Sequence, residues 1–251
     1  MLSWERKQKL IFLSKVVTFF LLVFSVYGLY AFYKAPNCSN GKKDGDERGA
    51  DCGGRCLRVC RADTKLPLVQ FVRALEVDGA TWSVVAYLEN QNEGVGARHV
   101  PYRLKLYDTD NLLIYERRGE VFIPPRKTFA IYEGKMDVGT RIPTKALFEF
   151  LAEPVFEHVS QPALILETKD FIKDEHGVSL QAVLSNPKRV VVEGINLTAL
   201  LFDEDGNVTG ASATFVPTLR AEGSTLLTFT WPRQLERPAR TEVLYTVPGK
   251  N

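Results

Sequence analysis

The longest apolar run in the chain lies close to the amino terminus, at residues 10–33. As an α-helix of about 24 residues it would extend about 36 Å, which exceeds the hydrocarbon thickness of a bilayer. Its one charged residue, Lys15, lies within the first turns, where a long aliphatic stem lets the ammonium reach the headgroups. Tyr27, Tyr30 and Tyr33 lie towards the far end, as interfacial aromatic residues do. The run predicts one transmembrane helix.

Basic residues beside this run predict its orientation. Arg6, Lys7 and Lys9 precede it, which favours a cytoplasmic tail at residues 1–9 and an extracytoplasmic location for the rest of the chain. Four basic residues after the run weaken this bias: Lys34, Lys42, Lys43 and Arg48. A cleaved signal peptide is the alternative, but the run is longer than a usual signal core and no convincing small-x-small motif precedes Asn37. We expect an uncleaved signal-anchor in a cell membrane.

Beyond Thr64 the hydrophobic pattern changes to the alternation that is typical of β-strands. In residues 82–88 and 102–106, alternate side chains fall on opposite faces of an extended chain. Short alternating segments recur between turn residues, and no long amphipathic helix interrupts them. About 185 residues are enough for two small domains. We expect a mainly β fold with sandwiches at residues 66–152 and 160–248, joined so that their relative motion is limited.

The two halves of this β region carry the same local signals at an offset of about 96 residues. An apolar strand ends in Asn, a second strand ends in an aromatic residue followed by Asp, and a turn comes next. The matched segments are residues 88–90 with 184–186, 104–108 with 199–203, 110–111 with 205–206, and 146–148 with 243–245. Asp205 and Gly206 predict a two-residue hairpin turn, because both positions tolerate positive φ.

In each half, a strand that ends in Leu-Tyr-Asp or a similar sequence carries a resemblance to a known family of domains. Leu106, Tyr107 and Asp108 have this pattern, and residues 201–203 have it with Phe in place of Tyr. Both halves resemble the FxLYD family of small immunoglobulin-like β-sandwich domains. The resemblance implies two tandem immunoglobulin-like sandwiches behind the membrane helix, and it implies no particular activity.

A cysteine-rich neck at residues 34–65 separates the helix from the β region. It contains Cys38, Cys52, Cys56 and Cys60, the only cysteines of the chain. An even number of cysteines in an exported segment predicts two disulfides, and three pairings are open. The neck resembles a module of exported surface proteins of the form C-x-[DN]-G-x-x-[DN]-G-x-E-x-x-x-D-C-G-G-x-C-x-x-C. It departs from that form by having three residues between the last two cysteines.

Oxygen-bearing side chains crowd the same neck, namely Asn40, Asp44, Asp46, Glu47 and Asp51. Calcium prefers several carboxylate and carbonyl oxygens gathered by turns, so a calcium site is one interpretation. Because the spacing is not that of an EF-hand loop, a solvated acidic turn is the other. Four thiolates would also suit zinc, but the paired C-x2-C spacing is missing and an exported segment favours disulfides.

The remaining chemistry-bearing residues do not form a catalytic motif. The formal net charge of +2 is near neutral and gives no indication of a basic face for nucleic acid. No Gly-x-Ser-x-Gly elbow or glycine-rich phosphate loop occurs, so we expect neither nucleophilic catalysis nor a nucleotide cofactor. Exposed surface or turn positions are predicted for His99, His158, His176, Asp203 and Asp205. Three formal glycosylation sequons begin at Asn37, Asn196 and Asn207, and chance occurrence is the default interpretation. Asn196 opens a predicted strand and Asn207 a turn, so Asn207 is the more plausible acceptor of these two.

These features predict a non-enzymatic, single-pass protein of an envelope or cell surface that uses two β-sandwiches for binding or assembly. Its expected partners are the lipid bilayer and other proteins, because sandwich edges and faces are suited to such contacts. One alternative is a structural subunit of a larger membrane secretion or appendage complex. Another is an enzyme whose site lies at the domain junction near Glu153, Glu157 and His158.

Overall fold

The computed structural model describes residues 4–33, 35–175 and 177–248, without the side chains of Glu5 and Arg6. The predictions that involve the Arg6 side chain, Lys34 and His176 therefore lie outside the described residues.

A single long helix, α1, occupies Trp4–Phe32. Within it, Lys7–Phe32 is long and apolar enough to cross a membrane, and its apolar window is not buried by the rest of the described chain. The predicted apolar helix is thus confirmed, and it begins before residue 10 because the charged residues ahead of the run are good helix formers. Its orientation in a membrane stays a prediction.

Thirteen β-strands follow in the part of the chain that the structure describes. They are β1 (Leu68–Asp78), β2 (Thr81–Asn90), β3 (Val95–Tyr107), β4 (Leu113–Ile123), β5 (Lys127–Asp137), β6 (Lys145–Phe150), β7 (Phe156–His158), β8 (Ile165–Asp174), β9 (Gly177–Ser185), β10 (Val192–Phe202), β11 (Val208–Leu219), β12 (Ser224–Trp231) and β13 (Arg240–Thr246). A short 3-10 helix at Arg61–Asp63 lies between α1 and β1.

The strands form four antiparallel sheets in two repeating pairs. The first pair has the orders β1-β2-β5 and β4-β3-β6, with the short β7 also paired to β3. The second pair has the orders β8-β9-β12 and β11-β10-β13. Each strand of the second pair occupies the place of the strand seven numbers earlier, so the chain folds twice in the same way. The predicted mainly β fold of two tandem sandwiches behind an apolar helix is confirmed.

Two buried asparagines explain the strongest signal of the sequence repeat. Asn90 Nδ2 donates hydrogen bonds to the carbonyl oxygens of Val95 at 2.9 Å and Pro124 at 2.7 Å. Asn186 Nδ2 donates in the same way to Val190 at 2.8 Å and to Arg220 at 3.0 Å. Each side chain therefore joins the end of one strand to two loops, which satisfies backbone carbonyls that the sheets leave unpaired.

The aromatic-Asp signal marks the turn that follows β3 and β10. Asp108 Oδ1 accepts a hydrogen bond from the backbone N–H of Leu112 at 2.9 Å, and Asp203 Oδ1 accepts one from Asn207 at 2.7 Å. In both loops the residue at positive φ is the one expected to tolerate it, Asn111 or Gly206. The predicted two-residue hairpin at Asp205 and Gly206 is wrong in length, because residues 203–207 all lie between β10 and β11.

Each sandwich encloses its own apolar core. In the first, Leu88, Leu104 and Phe129 are almost completely buried, and in the second Leu184 and Phe229 are. Burying a side chain of this size contributes about 1.5–3 kcal/mol, so each core is sufficient to hold its two sheets together.

A third apolar cluster joins the outer faces of two sheets, one from each sandwich. It contains Val85 and Tyr87 of β2 together with Leu200 and Phe202 of β10. For this reason residues 83–88 of β2 are buried on both faces, whereas simple alternation would expose one of them. The two sandwiches are stacked face to face, with β1-β2-β5 and β11-β10-β13 as the inner sheets.

The asparagine bridges give a test of this fold. Asn186→Ala should lower the free energy of unfolding by about 2 kcal/mol, because the buried Asn186 amide is the hydrogen-bond donor to the carbonyls of Val190 and Arg220. The midpoint of urea denaturation measures this, and Asn207→Ala, at an exposed turn position, is the control. Equal effects of the two substitutions would contradict the role of Asn186.

Candidate functional site

The contact between the sandwiches is built on an apolar centre. Five partly buried residues pack around the Val85, Tyr87, Leu200 and Phe202 cluster: Phe71, Leu75, Ala130, Tyr132 and Leu244. The rings of Phe71 and Tyr87 stack with their centroids 4.9 Å apart. Stacked aromatic pairs of this kind add to the stabilisation that comes from burial alone. The contact surface between the sandwiches is therefore apolar, like a small hydrophobic core, and not polar like an interface between domains that move.

Tyr87 also makes the central polar contact of the junction. Its hydroxyl donates to the Glu242 carboxylate, with oxygen distances of 3.0 and 3.1 Å. Arg240 in turn holds Glu242 at 2.8 Å, so the carboxylate is fixed from the β13 side. Burial, followed by the neighbouring charge of Glu242, raises the pKa of Tyr87 to about 12.

A second polar contact between the two sandwiches is made by Lys127. Lys127, the first residue of β5, donates to the Tyr245 carbonyl oxygen at 3.1 Å, and its Nζ lies 3.2 Å from the centroid of the Tyr245 ring. Burial lowers the pKa of Lys127 to about 8. The carbonyl and the face of the ring offset part of that cost, because both attract the ammonium.

Beside these contacts the two sandwiches leave an open cleft of about 400 Å³. One wall belongs to the first sandwich and includes Arg98, His99, Tyr102, Glu120 and Tyr132. The opposite wall belongs to the second sandwich and is formed by Asn196, Leu197, Thr198, Ala213, Thr214, Thr246 and Pro248. The cleft is the concave site at the domain junction, which is where small ligands commonly bind.

The charged groups that line the cleft already hold one another. Arg98 donates at 2.5 Å to Glu157 and at 2.5 Å to the carbonyl oxygen of Pro248. His99 Nδ1 lies 3.2 Å from Glu120, and both side chains are largely exposed. His99 has a positive φ of 49° in the bulge between β3 and β4, which turns it outwards at the rim. These contacts hold the charged side chains at the rim of the cleft in place, and none of them joins a general base to a nucleophile.

A set of hydrogen-bonded polar side chains extends from the cleft to the edge of the first sandwich. Tyr102 donates to Glu133 at 2.6 Å, and Arg117 reaches the other carboxylate oxygen at 3.0 Å. Burial and the Glu133 carboxylate together raise the pKa of Tyr102. A side chain at Gly119 would collide with the Tyr102 ring, so the glycine is required there. The arrangement braces β4 against β5.

The three residues proposed for a junction enzyme do not meet in the cleft. Glu157 is paired with Arg98, and Glu153 forms a 2.5 Å ion pair with Arg61 of the neck. His158 is exposed at the end of β7. Glu153 instead lines a second concavity of about 310 Å³ between the neck and the segment before β7.

The neck has a definite disulfide pairing, Cys38 with Cys56 and Cys52 with Cys60. No free cysteine occurs among the described residues, so no thiolate is left there for zinc. Glu47 Oε1 lies 3.2 Å from Cys56 Sγ, which places a buried carboxylate against the first disulfide. Disulfide sulfur is a poor metal ligand, and the grouping of Cys38, Glu47 and Cys56 is better explained by packing.

The predicted calcium ligands hold the turns of the neck. Asp51 accepts hydrogen bonds from the backbone N–H groups of Asn40 and Gly41, both at 2.7 Å. Glu47 accepts from the backbone of Asp44 and of Asp51 at 3.2 Å. Their oxygens thus replace the secondary structure that this short segment lacks. Calcium binding stays a prediction.

The other two members of the predicted set have separate partners. Asp44 accepts from the Asn40 amide at 2.6 Å. Asp46 pairs with Arg55 at 2.8 Å, and this hydrogen bond lowers the pKa of the Asp46 carboxyl. Gly54 has a positive φ of 60°, and a side chain there would collide with the Asp46 carbonyl. The glycine is therefore needed to close the neck.

The neck is attached to the first sandwich by strand addition. Val59 N donates to the Phe156 carbonyl and His158 N to the Leu57 carbonyl, both at 2.9 Å, around an antiparallel bridge between Arg58 and Glu157. Residues 57–59 therefore extend the sheet beyond β7. Lys65 and the side chain of Asn92 exchange two further hydrogen bonds, at 2.8 and 2.7 Å.

Other predicted surface positions are found as follows. Asp203 binds its own loop, which supports turn formation over acid-base chemistry. Of the sequons, Asn37 and Asn207 are exposed outside the helices and strands, and Asn196 is exposed within β10. Sequence reasoning missed Lys127, Tyr245 and Tyr102, whose importance depends on contacts between distant segments. The only available signal was the apolar character of both faces of β2.

Comparison with known proteins identifies no family. No family model matches the chain, and no curated protein does. Among solved structures, red sea bream transglutaminase is similar with a TM-score of 0.22 and 12% identity, over 70% of this chain and 29% of that one. The mu-homology domain of yeast delta-COP-I is similar with a TM-score of 0.24 and 10% identity, over 68% and 76%. Similarities this weak carry no argument about function.

The role of the acidic residues in the neck can be tested without assuming a metal. Asp51→Ala removes the acceptor of two backbone N–H groups, so residues 38–52 should become sensitive to protease at low enzyme concentration. Cleavage should be the same with excess EDTA and with added calcium. Asp205→Ala is the control, and protection that calcium restores in the wild type after EDTA treatment would instead support a calcium site.

The junction should respond to alkaline pH through Tyr87. The pKa of Tyr87 is about 12 in the folded chain and about 10 when it is free, so the unfolded chain loses the proton first. The free energy of unfolding therefore falls as pH rises from about 10 to about 12. Tyr87→Phe should fall less steeply over this window in urea titrations. Parallel curves for the two proteins would contradict the buried hydroxyl contact.

Proposed function

We propose that this chain is a non-enzymatic, single-pass membrane protein of an envelope or cell surface, whose two sandwiches form one rigid extracytoplasmic module for binding or assembly with other proteins. The observation that carries the proposal is α1, whose apolar surface is covered by no part of the described chain. Phe24, Leu29 and Phe32 are each at least 70% exposed along it. Apolar surface of this extent is stable only in a bilayer or against a partner.

The neck supports an extracytoplasmic location for the sandwiches. It contains two disulfides within residues 38–60 and has little apolar core of its own. Such small cross-linked segments persist in oxidising compartments, and reducing conditions in the cytosol would open them. The basic residues ahead of α1 favour the same orientation.

Rigidity supports a role in binding or assembly over a role that needs domain closure. The neck extends a sheet of the first sandwich, and the first sandwich is packed on the second through a shared apolar cluster. Surfaces on such a body keep fixed positions relative to one another, so partners meet a preformed surface. The resemblance to FxLYD domains belongs to this proposal as a resemblance of fold.

Membrane insertion and orientation are tested by fractionation of cells that express the full chain. The wild type should stay in membranes through alkaline carbonate washing, and added protease should digest the sandwiches from the extracytoplasmic side. Val17→Asp with Leu21→Asp should release the chain, because two carboxylates in the middle of the span cost several kcal/mol. The matched control is Val190→Asp with Val191→Asp, which changes two exposed apolar residues elsewhere. A soluble wild type, or sandwiches accessible only from the cytosol, would overturn the proposal.

A further inference from the structure

The sheet edges of this chain are protected unequally. Exposed edge strands of natural sheets usually carry charges, proline or a bulge, which prevents pairing with other chains. Charged residues lie on β1, β4, β5 and β8, and β11 contains Pro217 and pairs with β10 through a bulge. The strand β12 has none of these features. Its sequence is STLLTFTW, without a charge or a proline.

The free edge of β12 is regular and unpaired. It pairs with β9 residue by residue from Ser224 opposite Ser185 to Trp231 opposite Val178, with no bulge. No backbone hydrogen bond among the described residues joins its other side to another segment. Leu227 and Phe229 point into the core, while Leu226 is 59% exposed on the outer face. The edge therefore offers a straight row of backbone donors and acceptors.

The internal repeat supplies a comparison for this edge. The strand that corresponds to β12 in the first sandwich is β5, which contains Glu133, Lys135 and Asp137. Lys135 has a positive φ of 58°, and the pairing of β5 with β2 is interrupted by a bulge. The same edge of the same fold is thus blocked in one sandwich and open in the other.

The strand β11 lies beside β12 and also lacks charged residues, so the difference in charge between the two sandwiches covers a whole side of the second one. Neither β11 nor β12 contains a charged residue. The corresponding strands β4 and β5 both contain acidic and basic residues. A charged partner would have to give up its hydration at this side without gaining an ion pair, so an uncharged strand fits best.

We infer that β12 is a contact between two copies of this chain, which pair β12 with β12 in antiparallel orientation and so join two three-stranded sheets into one of six strands. Residues directly opposite in an antiparallel pair point to the same face, so the symmetric register is centred on Leu227. It places Thr225 opposite Phe229 on the core side and Leu226 opposite Thr228 on the outer side. No like charges meet, and the pairs are of the β-branched, aromatic and aliphatic kinds that stabilise sheets.

Membrane anchoring assists this contact, and in that one respect the inference rests on the proposed function. Copies held by α1 in one bilayer share a plane and an orientation, which raises their effective concentration. A pairing along the seven β12 residues 224–230 that is weak in dilute solution then becomes populated.

The test compares three full-length proteins, in mild detergent and in lipid vesicles, by light scattering and by cross-linking. Thr228→Lys places a charge on the exposed face of β12 and should weaken dimerisation about tenfold or more, because each lysine then lies opposite Leu226 of the second copy and diagonally across from the other lysine, where like charges repel. Thr218→Lys makes the same change at an exposed position of β11 and should leave the dimer intact. A monomeric wild type in both media overturns the inference, even where membrane insertion has been demonstrated.

A second measurement fixes the register. Leu226→Cys combined with Thr228→Cys should form disulfide-linked dimers under mild oxidation, because the two positions lie opposite each other across the pair. A dimer that Thr228→Lys leaves unchanged, for example one held by α1, contradicts the inference. Loss of the dimer in both lysine variants also contradicts it, because the contact would then involve β11.

Discussion

The burial of β2 and β10 on both faces is the constraint on which the rest of the structure depends. Each strand contributes one face to the core of its own sandwich and the other to the shared cluster around Val85, Tyr87, Leu200 and Phe202. Apolar side chains contribute about 1.5–3 kcal/mol each when they leave water, so the cluster holds the sandwiches in one arrangement. That arrangement creates the cleft and brings Pro248 to Arg98.

The two sandwiches share a fold and differ in what covers their outer faces. Tyr87 lies opposite Ala130 in the inner sheet of the first sandwich, and the matching pair in the second is Val183 opposite Leu226. The first pair is covered by the other sandwich, whereas Leu226 is open to solvent. The repeated fold thus has one such face covered by internal packing and the other exposed to solvent.

Sequence alone predicted the features that depend on local patterns. The apolar run predicted α1, alternation predicted the β class, and the Asn90 and Asp108 signals marked loop connections that recur in both halves. The disulfide pairing was not predictable, because cysteine spacing does not determine which sulfur atoms meet. The stacking of the sandwiches was missed because the alternation rule assumes one solvated face. Five successive apolar residues at 84–88 were the available indication of two buried faces.

The pairing of the four cysteines determines how a pulling force would travel between the apolar helix and the first sandwich. Two covalent routes run side by side from Cys38 to Cys60. One follows the backbone to Cys52 and crosses its disulfide, and the other crosses from Cys38 to Cys56 and follows residues 57–59. The second route contains far fewer residues, so it becomes taut first and shields the turns of residues 39–51 from tension. The neck acts as a short tether with almost no slack.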